Sequence, residues 1–85
     1  MKVNFTELEI RPSLFEPATK INLQKNIAEA IYQNANSLAQ HSFAQRLFEA
    51  EGDVEANDEE VGFIKAAIPG FKYFAQEAIL KAIGE

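Results

Sequence analysis

The sequence predicts an α+β fold, mainly helical, packed around a single core. Three observations lead there: an N-terminal run of strand formers broken by two prolines, four later segments with apolar residues at helix spacing, and short polar or glycine-bearing breaks between them. A chain of 85 residues is shorter than an average domain, so residues 1–85 are read as one unit.

From Val3 to Ile10 the strand formers change phase. Val3 and Phe5 share one parity, and Leu8 and Ile10 the other. A strand covered on both faces, or one carrying a bulge, accounts for the slip. Pro12 and Pro17 interrupt the next stretch, with the apolar pair Leu14 and Phe15 between them. Ala18 to Leu23 can return as a second short strand. Residues 2–22 are therefore expected to form a β-hairpin with an irregular connection; the alternative is one strand and a loop pinned by Phe15.

The first helix is expected over 23–35. Leu23, Ile27, Ala28, Ala30, Ile31 and Ala35 fall on one face, with Asn22 as N-cap and Asn34 and Asn36 marking the end. A second helix covers 38–50. Ser37 and Ser42 each stand three residues before a Gln, so both fit a capping box. Its buried stripe is Phe43, Ala44, Leu47 and Phe48, and Gly52 is placed to end it in a left-handed cap. The third helix, 58–68, has the clearest start. Asn57 caps, Glu60 sits at the capping-box position, and Asp58, Glu59 and Glu60 fill a first turn where the helix dipole favours negative charge. Pro69-Gly70 stops it. The last helix, 71–83, gathers Phe71, Phe74, Ala75, Ala78, Ile79 and Ala82 on one face.

Composition narrows function mostly by exclusion. Cysteine is absent, which removes disulfides, thiolate metal sites and cysteine nucleophiles. Met1-Lys2 is followed by polar residues and not by an apolar run, so no signal peptide is read. No apolar stretch nears the roughly 20 residues a membrane helix needs. A cytoplasmic protein with no membrane partner is the expectation. The net charge of −5 and the scattered basic residues argue against direct nucleic-acid binding. A chain this short buries only roughly 60–65% of its unfolded surface. Its stability should lie at roughly 4–13 kcal/mol, and self-association would add to it.

No catalytic set stands out. His41 is the only histidine, and neither Ser37 nor Ser42 lies in a nucleophile-elbow context. Isolated glycines rule out a phosphate-cradling loop. The acidic stretch Glu49 to Glu60 lies between two helices, where a calcium loop would sit. Starting that loop at Asp53 puts Asp58 at the glycine position and Ile64 at the twelfth, where Glu belongs. Aligning Gly52 with the loop glycine puts Leu47 at the first ligand. Both registers fail, and no cofactor or metal is assigned.

Two surfaces remain. Tyr73 and Leu80, seven residues apart, lie nearly opposite the core stripe of the last helix, and Tyr32 sits on the polar edge of the first. Apolar residues on both sides of a helix mean that it is sandwiched or meets a partner. The three residues are the candidate partner surface. Glu55, Asp58 and Glu59 are the candidate acidic surface, able to mimic nucleic-acid charge toward a basic protein.

The chain also resembles a group of short uncharacterised proteins encoded by phages and mobile elements of bacteria. The features that carry the resemblance are the Met1-Lys2-Val3-Asn4-Phe5 opening, Ile31-Tyr32, Leu47-Phe48, Val54 before Asp58-Glu59-Glu60, and Ala78-Ile79-Leu80. They span most of the chain and are packing signals, so no role transfers to a named residue. The resemblance implies a phage-associated setting and an accessory or protein-binding role. The sequence thus favours a non-enzymatic, self-associating interaction module. The acidic mimic is one alternative, and a small metal-binding protein or enzyme is another.

Overall fold

The computed structural model describes residues 1–84. Its elements run β1 (Lys2–Val3), β2 (Leu8–Ile10), β3 (Thr19–Ile21), α1 (Gln24–Gln33), α2 (Leu38–Glu49), β4 (Val54–Glu55), α3 (Asp58–Ala67) and α4 (Tyr73–Ala82), with a single 3₁₀ turn at Ile68–Gly70 between the last two helices. The fold is α+β and mainly helical, as the sequence predicts.

The N-terminal strands divide between two small antiparallel sheets. β2 pairs with β3, Leu8 opposite Ile21 and Ile10 opposite Thr19, which is the expected hairpin. β1 pairs instead with β4, Val3 opposite Val54, far along the chain. The phase slip therefore comes neither from a bulge nor from one strand covered on both faces. It marks a turn at Thr6-Glu7 between two strands of different sheets. The Asn4 Oδ1 accepts from the Thr6 backbone N–H at 2.9 Å and from its hydroxyl at 2.6 Å, fixing that turn. All four apolar residues, Val3, Phe5, Leu8 and Ile10, can then be buried in one core.

α1 and α2 are joined by a short connection and run antiparallel. Ile27, Ala28 and Ile31 face Phe43, Ala44 and Leu47 in the interior, and β2 packs on α4 through Leu8, Ile10, Ala78 and Ile79. Ser37, not Ser42, caps α2, its Oγ accepting from the Gln40 N–H. The α3 capping box between Asn57 and Glu60 is complete in both directions. Asn22 accepts from the Gln24 N–H but stands one residue outside the cap, which is Leu23.

Gly52 does not end α2 in the left-handed form. Ala50 leaves the helix in extended conformation, and the only positive φ among the described residues is at Gly84. Another group serves the carbonyls beyond the helix. Gln24, only 1% exposed, donates from Nε2 to the carbonyls of Ala50 (3.1 Å) and Gly52 (3.0 Å), while its Oε1 accepts from the Phe5 N–H at 3.0 Å. One side-chain amide thus ties the N-terminal segment, α1 and the α2–β4 connection together. Every polar atom of that side chain is satisfied, which is the condition for burying it cheaply.

Candidate functional site

The β2–β3 connection, residues 11–18, is held from inside by one guanidinium. Arg11 donates from Nε to the Glu16 carbonyl at 3.0 Å and from Nη2 to the Leu14 carbonyl at 2.7 Å. Pro12 and Pro17 fix φ on either side. The loop is therefore built without an apolar anchor. Phe15 does not pin it: the ring is 100% exposed, and Leu14 is 83% exposed.

Beside this loop a groove of about 800 Å³ runs between the hairpin and α4. Leu8, Leu14, Tyr73, Phe74 and Ala78 supply its apolar lining, and Glu7, Glu9, Arg11, Glu77 and Lys81 its charges. The rim charges are partly paired within the chain, Lys81 with Glu77 at 3.6 Å and Lys20 with Glu7 at 4.0 Å. Tyr73, 87% exposed, stands on this groove. Phe74, assigned to the core stripe from its spacing, is about one-third exposed and lines the groove as well.

The structure separates Tyr73, Leu80 and Tyr32, the three residues expected to share a partner surface. Leu80 is half-buried and packs against the core. It shares a helical face with Tyr73, but Tyr73 opens α4 and projects past its neighbours, whereas Leu80 lies where the core is still packed against the helix. Tyr32 lines a different depression, of about 260 Å³, between α1 and α2. There its ring meets that of His41 at 4.9 Å between centroids. Phe48 is also in that depression and 44% exposed, so it leaves the buried stripe predicted for α2. The opposing stretch of α1 offers Ala28 and Lys25, too little apolar surface to cover the ring. The Lys25 ammonium lies over it at 5.0 Å from the centroid.

Glu55, Asp58 and Glu59 are all exposed. Glu55 accepts from the Met1 amine at 3.2 Å, and Asp58 and Glu59 occupy the first turn of α3, where the dipole stabilises them. Arg46 crosses the same stretch, donating to the Glu55 carbonyl and to both carboxylate oxygens of Glu60. Among the described residues no three His, Asp or Glu side chains gather as a metal site. No described helix is long and apolar enough to cross a membrane.

Sequence reasoning missed Leu14, Phe15, Phe74 and Phe48 as surface residues. The signal for the first two was present: an apolar pair between two prolines, outside any periodic segment, has no helix or strand face to bury it. Fold and surfaces together define a small, mainly helical α+β domain with a preformed groove beside a projecting aromatic. No protein-family model, curated protein or solved structure matches this chain.

Proposed function

We propose that the chain is a non-enzymatic interaction module, that its partner surface is the hairpin tip with α4, and that its partner there is a second copy. The observation that carries this reading is Phe15, wholly exposed on a loop clamped by Arg11. An aromatic carried on a backbone fixed before binding leaves only its own side-chain rotations to be ordered on docking, which lowers the entropic cost.

The groove beside it gives the ring somewhere to go. Leu14 lines that groove in its own chain, while the neighbouring Phe15 ring is not part of its lining and is wholly exposed. Phe15 is next in sequence to a residue of the groove wall, so in a closed, isologous pair about a twofold axis each copy's Phe15 ring would enter the other's groove. The rim mixes Glu7, Glu9 and Glu77 with Arg11 and Lys81. Two copies can therefore meet without facing a single sign of charge, despite the net −5. Of the residues weighed for a Ser-His device, His41 is used in ring packing and Ser37 in capping α2. The resemblance to phage and mobile-element proteins supports an accessory role in such a setting.

Light scattering over a concentration series tests the reading. The wild-type mass should rise toward twice that of the monomer, and Phe15→Ser and Tyr73→Glu should each hold it at the monomer. A wild-type chain that stays monomeric at millimolar concentration overturns it, as do dimers untouched by either substitution.

A further inference from the structure

We infer that the depression between α1 and α2 is a second binding site, independent of the groove, that takes an arginine side chain presented by a partner protein. Ala28 and Ala44, both buried, line it together with Tyr32 and Phe48, each 44% exposed. Glu29 and Glu49 line it as well. Gln33 Nε2 donates to Glu29 Oε1 at 2.6 Å and orients that carboxylate. Aromatic rings, small residues and two carboxylates match a planar cation. Guanidinium stacks on rings, is weakly hydrated, and pairs with carboxylates through a fork of donors.

A second observation points to the same class of ligand. Beside the depression, though not among the residues that line it, the chain places a cation of its own: Lys25 Nζ lies 5.0 Å from the Phe48 centroid. Phe48 thus uses its π face toward positive charge in the free protein, and Lys25 competes with any incoming arginine.

That competition supplies the test, made by NMR on the full ¹⁵N-labelled chain with an acetylated, amidated alanine peptide carrying one arginine. The arginine peptide should move the amide signals of Ala28, Glu29, Ala44 and Phe48, and the same peptide with norleucine should not. Lys25→Met removes the internal competitor and should tighten arginine-peptide binding about two- to fivefold, the range of an exposed cation–π contact. Glu49→Gln should weaken it by a similar factor. Lys2→Met makes the same charge change outside the depression and should alter affinity less than about twofold. Lys25, Glu49 and Lys2 are all exposed, so spectra of the variants should keep their dispersion. The proposal is overturned if norleucine binds as well as arginine, if Lys25→Met and Lys2→Met act alike, or if those four amides stay unmoved at about 20 mM peptide, a limit set by the weakest affinity of interest.

Discussion

Gln24 and Phe15 invert the usual partition of side chains, in opposite directions. The polar one is 1% exposed and the aromatic one 100%. The region around Gln24 is closed on itself. Its amide meets one N–H and two carbonyls from separate segments, and no buried side-chain polar atom among the described residues lacks a partner. The hairpin tip is closed only in its backbone, which Arg11 clamps, while its apolar side chains meet nothing in their own chain that covers them. A buried polar residue whose bonds are all internal belongs to the fold. An exposed apolar residue on a fixed backbone contributes little to the fold and is available to the interface proposed above. Substitutions in the two regions should therefore separate cleanly into loss of stability and loss of association.

The largest effect is expected at the buried amide. Gln24→Leu is close in volume but strands the buried Phe5 N–H and the part-buried carbonyls of Ala50 and Gly52. A buried group without a partner costs about 1–3 kcal/mol, a partly wetted one less. Urea denaturation should show a loss of about 3–5 kcal/mol, a large share of the whole for a chain this size. Gln24→Glu sharpens the point. One oxygen can still accept from Phe5, but a charged carboxylate would face two carbonyls, so burial should raise its pKa in the folded state. The folded state then holds a proton that the unfolded chain releases above about 4.3. Stability of this variant should accordingly fall as pH rises from that value, relative to wild type. A pH-independent difference would mean that water reaches the site.

Asn57→Ala comes next. It breaks the capping box with Glu60 at a solvent-exposed helix start and should cost about 1 kcal/mol in the same urea titration. Gly52→Ala should do less, raising stability by up to about 1 kcal/mol. The connection needs the carbonyl of Gly52 and not its freedom, since φ is not positive there and an added Cβ would meet nothing within 4 Å. Phe15→Ser is last, within about 0.5 kcal/mol, as for any exposed position away from special contacts. A loss of about 2 kcal/mol there would erase the contrast with Gln24.

The helices were legible because their signals are local. Periodicity and the Asn57–Glu60 spacing placed α3 to within a residue, and Pro69 its end, since caps and breakers act over one turn. The pairing of β1 with β4 was not legible: two-residue strands carry no alternation, and their partner lies some fifty residues away. Gln24 was invisible for a related reason. Nothing beside it in sequence marks a glutamine as buried, because its three partners come from other segments. Tyr73 stands out from its angle on the helix, opposite the core stripe, but that angle alone leaves core and interface both open. Leu80 has nearly the same angle and a different fate, since burial depends on what the neighbouring elements cover. A loop pinned by Phe15 is only the alternative to the hairpin, and the Arg11 clamp that makes such an anchor unnecessary depends on three-dimensional reach.

Thermal unfolding of wild type and Phe15→Ser across a wide range of protein concentration tests the central contrast most directly. Because association with the folded state raises the midpoint by mass action, the wild-type midpoint should climb with concentration, while that of Phe15→Ser stays flat and meets it at the dilute end. Two parallel curves, with the variant lower by the same amount throughout, would place Phe15 in the fold and contradict the account.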